Sequence, residues 1–180
     1  MVFDNLIGGR LIVQTPLNGL NAAVSSYTGD LKVSQGYSSL DDRYVLFGTS
    51  VEYLSDHWWL RSEYLMQKKS PKITFDVVYL EAAYKFTEHW QAAARYEYAN
   101  FDISSLKSQP VPQSIFDHQE VALGINYWLN PNLVFKLSYH IVNGNRFAFP
   151  KEVADYLQDI QKGSFEEHTH LIMVGTQFSF

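Results

Sequence analysis

The sequence predicts an all-β chain, an antiparallel up-and-down transmembrane β-barrel, with about nine strands in residues 1-180. Three observations carry this. Apolar and polar residues alternate with period two over segment after segment. Short turns alternate with long polar connections between those segments. Finally, 12 Tyr, 12 Phe and 4 Trp stand among many polar residues, with only 18% charged. Strands that show one face to lipid and the other to water need that mixture.

A first hairpin spans roughly Gly8 to Thr28 and turns at Pro16-Leu17-Asn18-Gly19, while Gly8-Gly9 reads as a turn or bulge element. From Tyr44 to Leu54, Val45, Phe47, Thr49, Val51 and Tyr53 share one face, opposite Leu46, Gly48, Ser50 and Glu52. Beyond Ser55-Asp56-His57, Trp58, Leu60, Ser62, Tyr64 and Met66 alternate with Arg61, Glu63, Leu65 and Gln67. The next strand sets Val78, Leu80, Ala82, Tyr84 and Phe86 against Tyr79, Glu81, Ala83 and Lys85. After Thr87-Glu88-His89, Trp90, Ala92, Ala94, Tyr96 and Tyr98 oppose Gln91, Ala93, Arg95 and Glu97. From His118 to Leu129, Val121, Leu123, Ile125 and Tyr127 oppose Glu120, Ala122, Gly124, Asn126 and Trp128. Past Asn130-Pro131-Asn132, Phe135, Leu137, Tyr139 and Ile141 oppose Lys136, Ser138, His140 and Val142. The last strand runs from about His168 to Phe180.

The turns near Asn18, Asp56, Glu88 and Asn130 are tight; the connections Gly29–Arg43, Lys68–Thr74, Ile103–Asp117 and Asn143–Glu167 are longer and polar. Outer-membrane barrels have short periplasmic turns and longer extracellular loops. The last of these loops is expected to hold a short helix, about 150-162. Pro150 suits its first turn, Gly163 its end, and Val153, Leu157 and Ile160 fall on one side.

Alternation leaves open which face is enclosed. A soluble or periplasmic β-barrel binding an apolar ligand would bury Leu123, Leu137 and Phe178 and expose Arg95 and Lys136. A membrane barrel would do the reverse. Three features favour lipid. Ionisable groups gather near strand centres on one face only: Arg61, Glu63, Glu81, Lys85, Arg95, Glu97, Glu120 and Lys136. Tyr53, Trp58, Tyr84, Phe86, Trp90 and Tyr127 cluster beside the tight turns, as amphipathic rings do at headgroup level. The chain also stops on Ile172, Val174, Thr176, Phe178, Phe180. That last pattern resembles the closing strand of bacterial outer-membrane barrels, where the resemblance makes Phe178 and Phe180 a signal read by the barrel-assembly machinery.

The units Tyr127-Trp128-Leu129-Asn130-Pro131-Asn132-Leu133, Tyr53-Leu54-Ser55-Asp56-His57-Trp58-Trp59 and Tyr84-Lys85-Phe86-Thr87-Glu88-His89-Trp90 look like periplasmic turns of large porins. The chain resembles the C-terminal portion of a Gram-negative outer-membrane porin of the broad phosphate-selective type. The resemblance implies a trimeric, water-filled channel of about 16–18 strands. It does not carry phosphate selectivity, since acids and bases are mixed on the polar face. A strand count near nine is odd, and single-chain bacterial barrels are even. Further strands upstream are therefore expected, together with the signal peptide that Met1-Val2-Phe3-Asp4-Asn5-Leu6 does not resemble.

The expected function is passive diffusion of small hydrophilic solutes or ions through the bacterial outer membrane. Expected partners are outer-membrane lipid and lipopolysaccharide, the assembly machinery and a homotrimer. The eight lumen-facing charges either set up a transverse field or pair as wall salt bridges. A formal charge of −5 argues against nucleic acid, and the lack of cysteine excludes disulfides and thiolate metal sites. No run of about 20 apolar residues offers a spanning helix; Val77-Val78-Tyr79-Leu80 is soon broken by charge. His168 and His170 after Glu166-Glu167, and Asp117-His118-Gln119-Glu120, could offer metal ligands but read as a polar rim. Ser138 and His140 share the polar face, with no third partner assignable; an outer-membrane phospholipase instead sets its Ser, His and amide facing lipid. No phosphate-loop or dinucleotide pattern occurs. The expectation is therefore no enzyme, no cofactor and no metal.

Overall fold

The computed structural model describes residues 2–32, 42–69, 73–103, 116–144 and 167–179. They form nine strands: β1 (Val2–Gln14), β2 (Leu20–Lys32), β3 (Asp42–Leu54), β4 (Trp58–Lys69), β5 (Ile73–Lys85), β6 (Trp90–Ile103), β7 (Asp117–Asn130), β8 (Leu133–Gly144) and β9 (His168–Phe178). All lie in one sheet in chain order, each antiparallel to the next. The sheet is open: β1 and β9 do not pair with each other. A 13-residue strand such as β3 or β5 extends about 43 Å. Tilted by about 45°, it rises about 30 Å, the thickness of a bilayer's hydrocarbon core.

The tight turns share one construction. Each begins with a side chain that caps its own turn. The Leu17 amide donates to Thr15 Oγ1 at 3.2 Å and that of Trp58 to Ser55 Oγ at 3.0 Å. The Trp90 amide donates to Thr87 Oγ1 at 2.9 Å and that of Asn132 to Asn130 Oδ1 at 2.9 Å. These short side chains satisfy amides that the ladder cannot reach. Each turn then offers a carbonyl to the next strand. Gly19 O accepts from Leu54 N at 2.9 Å and His57 O from Lys85 N at 2.8 Å. His89 O accepts from Trp128 N at 2.7 Å and Asn132 O from Ser179 N at 2.9 Å. The turn end of the sheet is thereby stitched from β1 to β9.

Gly19 is required where it stands. Its φ is +83°, and a Cβ there would lie 1.8 Å from Leu54 O. Gly19→Ala is expected to lose at least about 1–2 kcal/mol, the cost of a left-handed L-residue, before the clash is counted. A lowered urea midpoint would show it.

The structure revises three expectations. Gly8 and Gly9 lie within β1, and the bulge falls earlier, between Asp4 and Ile7, where Asn5 has φ 52°. The connection Lys68–Thr74 is not a long loop. β4 continues to Lys69 and β5 begins at Ile73, because Lys68 pairs with Thr74 and Lys69 with Ile73. Polar residues at a strand end read as loop when their ladder partners are not visible. His118, expected at a polar rim, is fully buried. The helix expected about 150-162 and the terminal Phe180 lie outside the described residues.

Burial separates the two faces. The most covered residues, Ala83, Gln91, Ala99, His118, Val134 and Val142, all stand on the polar face. The opposite face exposes its apolar side chains: Leu123 is 53% exposed, Leu137 48% and Phe178 70%. A single-layer sheet covers its own side chains only on the side toward which it curls.

Candidate functional site

The register places the charged residues in rows perpendicular to the strands. One row crosses β3 to β8 as Glu52, Arg61, Glu81, Arg95, Ala122 and His140. Its signs alternate, and neighbours meet. Arg61 Nε donates to Glu52 Oε2 at 2.8 Å, and Arg95 reaches Glu81 at 3.4 Å and Glu97 at 2.8 Å. The Arg95 guanidinium also lies 3.9 Å over the Tyr79 ring. The adjacent row toward the long connections holds Glu63, Tyr79, Glu97 and Glu120 and is acidic.

Two rows toward the tight turns from the Arg95 row lies a basic one: Lys85, Gln91, Asn126 and Lys136. Here the partners are neutral. Lys136 Nζ donates to Gln177 Oε1 at 2.8 Å, Asn126 Nδ2 donates to Gln91 Oε1 at 2.8 Å, and Lys85 Nζ lies 5.8 Å from the Trp128 ring centroid. Between the basic row and the Arg95 row runs a strip of small residues, Ala83, Ala93, Gly124 and Ser138. In these rows, then, Arg61 and Arg95 are paired with carboxylates, whereas Lys85 and Lys136 meet neutral partners. A polar recess of about 630 Å³ opens where Arg10, Asn21, Glu52, Arg61, Glu63 and Tyr79 converge.

All eight charged residues singled out from the sequence stand on this face. The six aromatics stand near the turns, and on the apolar face the rings meet in pairs. Trp58 lies 4.6 Å from Tyr84 and Trp90 4.8 Å from Tyr127, centroid to centroid. Trp58, Tyr84, Phe86 and Trp90 are exposed, whereas Tyr53 and Tyr127 are half-buried. The related turns Ser55-Asp56-His57 and Thr87-Glu88-His89 also bring His57 and His89 against the same tyrosines, Tyr84 and Tyr127. Phe178 is exposed on the apolar face.

Sequence reasoning missed two features. Trp59 and Trp128, on β4 and β7, meet edge to face at 6.2 Å across the polar face. Trp59 stands in the row of Gly124, four residues from Trp128, so three strand spacings and that stagger would separate their backbones by about 19 Å on a flat sheet, and the rings lean together over β5 and β6. The second feature is a hydrogen-bonded chain of three residues. Ser138 Oγ lies 2.8 Å from His140 Nε2, and His140 Nδ1 lies 2.6 Å from Glu120 Oε1. The second oxygen of Glu120 is 3.3 Å from His118 Nε2. An i, i+2 spacing signals that Ser138 and His140 share a face; nothing local signals Glu120, which lies 20 residues from His140. His170 turns the other way and meets the Tyr139 hydroxyl at 2.7 Å on the apolar face.

No family model matches the chain, and no curated protein matches it. Among solved structures it is similar to OmpTdeltaL8, a loop L8 deletion mutant of OmpT, described as an outer membrane protein of Vibrio cholerae. The TM-score is 0.58 at 12% identity, covering 96% of this chain and 53% of that one. The chain thus spans about half the length of that protein. The likeness supports the outer-membrane β-barrel fold and does not reach the phosphate-selective porin type.

It also removes the basis for one expectation. The chain was expected not to be an enzyme, on the ground that it was a porin and that Ser138 and His140 lacked a partner. What the chain shares with OmpT is an outer-membrane barrel fold, and a fold does not decide between channel and enzyme. Ser138 and His140 have their partner in Glu120. The expectation is withdrawn. The chain has the antiparallel, up-and-down all-β fold of an outer-membrane β-barrel protein.

Proposed function

We propose that this chain forms about half the wall of a water-filled channel in the bacterial outer membrane, through which small hydrophilic solutes or ions diffuse. The observation that carries the reading is the division of faces. Eight charged residues share one face of the sheet, and Leu123, Leu137 and Phe178 stand exposed on the other. A soluble carrier of an apolar ligand would need the opposite pleat. Charged groups in rows across a wall have a use only beside water, and an apolar band has one only beside lipid.

In this reading the strands missing for closure come from the rest of a larger barrel. Open edges in lipid would leave backbone groups unsatisfied, at several kcal/mol each. Tyr53, Trp58, Tyr84, Phe86, Trp90 and Tyr127 anchor the periplasmic rim at headgroup level, with lipopolysaccharide and lipid as neighbours. Phe178 and Phe180 present the barrel-assembly signal, and three copies associate.

The test is planar-bilayer recording of the protein purified from the outer membrane of a porin-depleted host. Expected are discrete conductance steps that scale with bulk electrolyte conductivity, together with heat-modifiable gel mobility. Correctly folded, heat-modifiable protein that leaves the bilayer silent would defeat the channel reading.

A further inference from the structure

We infer that Ser138, His140 and Glu120 form a nucleophile–base–carboxylate relay on the channel wall that hydrolyses short-chain carboxylic esters. The inference concerns an activity distinct from conduction.

The order of the three groups is the first argument. A nucleophilic serine needs a base on its hydroxyl and a third group that fixes the base. Here Ser138 Oγ is 2.8 Å from His140 Nε2 and His140 Nδ1 is 2.6 Å from Glu120 Oε1. An ionised carboxylate only accepts, so the proton must sit on Nδ1. In the neutral imidazole that leaves the Nε2 lone pair facing the serine hydroxyl, the tautomer general-base catalysis requires. His118 Nε2 lies 3.3 Å from the other carboxylate oxygen.

Local structure explains how the relay forms. The period of β8 sets Ser138 and His140 on one face. The β7–β8 register sets Ala122 opposite His140 and Gly124 opposite Ser138. With only a methyl group opposite it, the imidazole can reach along its own strand to Ser138 and diagonally to Glu120. Gly124 and Ala93, paired across β7 and β6, continue the row from Ser138 as a strip of small residues.

Substrate class follows from what surrounds Ser138. Lys136 precedes it on the same face, on the side away from His140, with Asn126 opposite Lys136. Their donors are directed elsewhere, Lys136 Nζ to Gln177 Oε1 and Asn126 Nδ2 to Gln91 Oε1, so neither is aimed at Ser138. The β8 backbone runs in ladders with β7 and β9, so it offers no pair of free amides. An oxyanion hole of backbone amides is often the largest catalytic contribution, and losing one donor costs about 10²–10³ in rate. A site without that hole suits an ester with a good alkoxide leaving group better than an amide.

The steps balance without a further reagent. Ser138 Oγ attacks the ester carbonyl carbon as its proton passes to His140 Nε2. The acyl C–O bond breaks, and the alcohol leaves with that proton, giving an acyl-serine. A water then attacks the acyl carbon, passing its proton to Nε2. The carboxylic acid departs as the proton returns to Ser138 Oγ.

Two measurements on the intact protein in detergent micelles test this. The first is labelling with a fluorophosphonate, followed by mass mapping. The expected result is one adduct, on Ser138, absent in Ser138→Ala and slowed at least about 100-fold in His140→Gln and Glu120→Gln. The second is p-nitrophenyl acetate hydrolysis by the same variants, each first shown to be folded by heat-modifiable mobility. As a check that does not depend on turnover, Ser138→Cys should react with iodoacetamide at neutral pH faster than Ser50→Cys. Labelling elsewhere or nowhere, an unchanged hydrolysis rate in Ser138→Ala, or equal alkylation of the two cysteines would each overturn the relay. Conductance recordings on the same preparation judge the channel separately.

Discussion

Replacing Leu123 with arginine is expected to destabilise the membrane-inserted protein by about 2–4 kcal/mol, the cost of a basic side chain on the lipid face of a barrel near the bilayer midplane. Leu123 is the seventh residue of the 14 in β7 and is exposed on the apolar face. Its neighbour Ala122 is the control. Ala122 points the other way, between Arg95 and His140, where an arginine meets water and carboxylates. Ala122→Arg should therefore cost much less than Leu123→Arg. Both are measured as shifts in denaturant unfolding of protein reconstituted in vesicles. The difference corresponds to about 30- to 1000-fold in the folding equilibrium. Equal costs, or a larger cost for Ala122→Arg, would mean the pleat is reversed and the apolar face is not in lipid.

Reversing Lys85 and Arg95 together, as Lys85→Glu and Arg95→Glu, is expected to turn the proposed channel strongly toward cations. The double change alters the wall by four charge units. A unit charge about 10 Å from a permeating ion in water contributes about 0.4 kcal/mol, reduced roughly threefold by 0.1 M salt. Four units then shift each ion by about 0.6 kcal/mol, in opposite directions for cation and anion. The cation-to-anion permeability ratio should rise roughly eightfold at 0.1 M salt, and more in dilute salt. Reversal potentials under a salt gradient read it directly.

The two sites should also contribute unequally. Arg95 already neutralises Glu81 and Glu97, so its reversal leaves a dense acidic cluster and lowers stability as well. Lys85 has an indole beside it, so its reversal should act on ions with less effect on folding. A permeability ratio that does not move would assign these charges to wall pairing alone.

Much of this fold was legible one residue at a time. The alternation from Val121 to Leu129, and again from Phe135 to Val142, identified two strands and their opposite faces. Thr15, Ser55, Thr87 and Asn130 stand where the tight turns begin because a short polar side chain can close a turn within a few residues. These are local events, and the information for them lies within a few positions.

Register is not local. A slip of one residue moves every side chain to the other face, so the pattern forbids it. A slip of two keeps every face and changes every neighbour, so the pattern is silent about it. Only the assembled sheet decided that Glu81 stands beside Arg95, that Lys85 and Lys136 share a row, and that Trp59 meets Trp128. The sheet likewise brought Glu120 to His140, which made a relay from a serine and histidine that had looked unpartnered. By itself the sequence determined which residues share a face of each strand, because period two is a property of one strand. The tertiary structure decided which residues are neighbours on that side, because cross-strand distance depends on hydrogen-bond pairing between segments far apart in the chain.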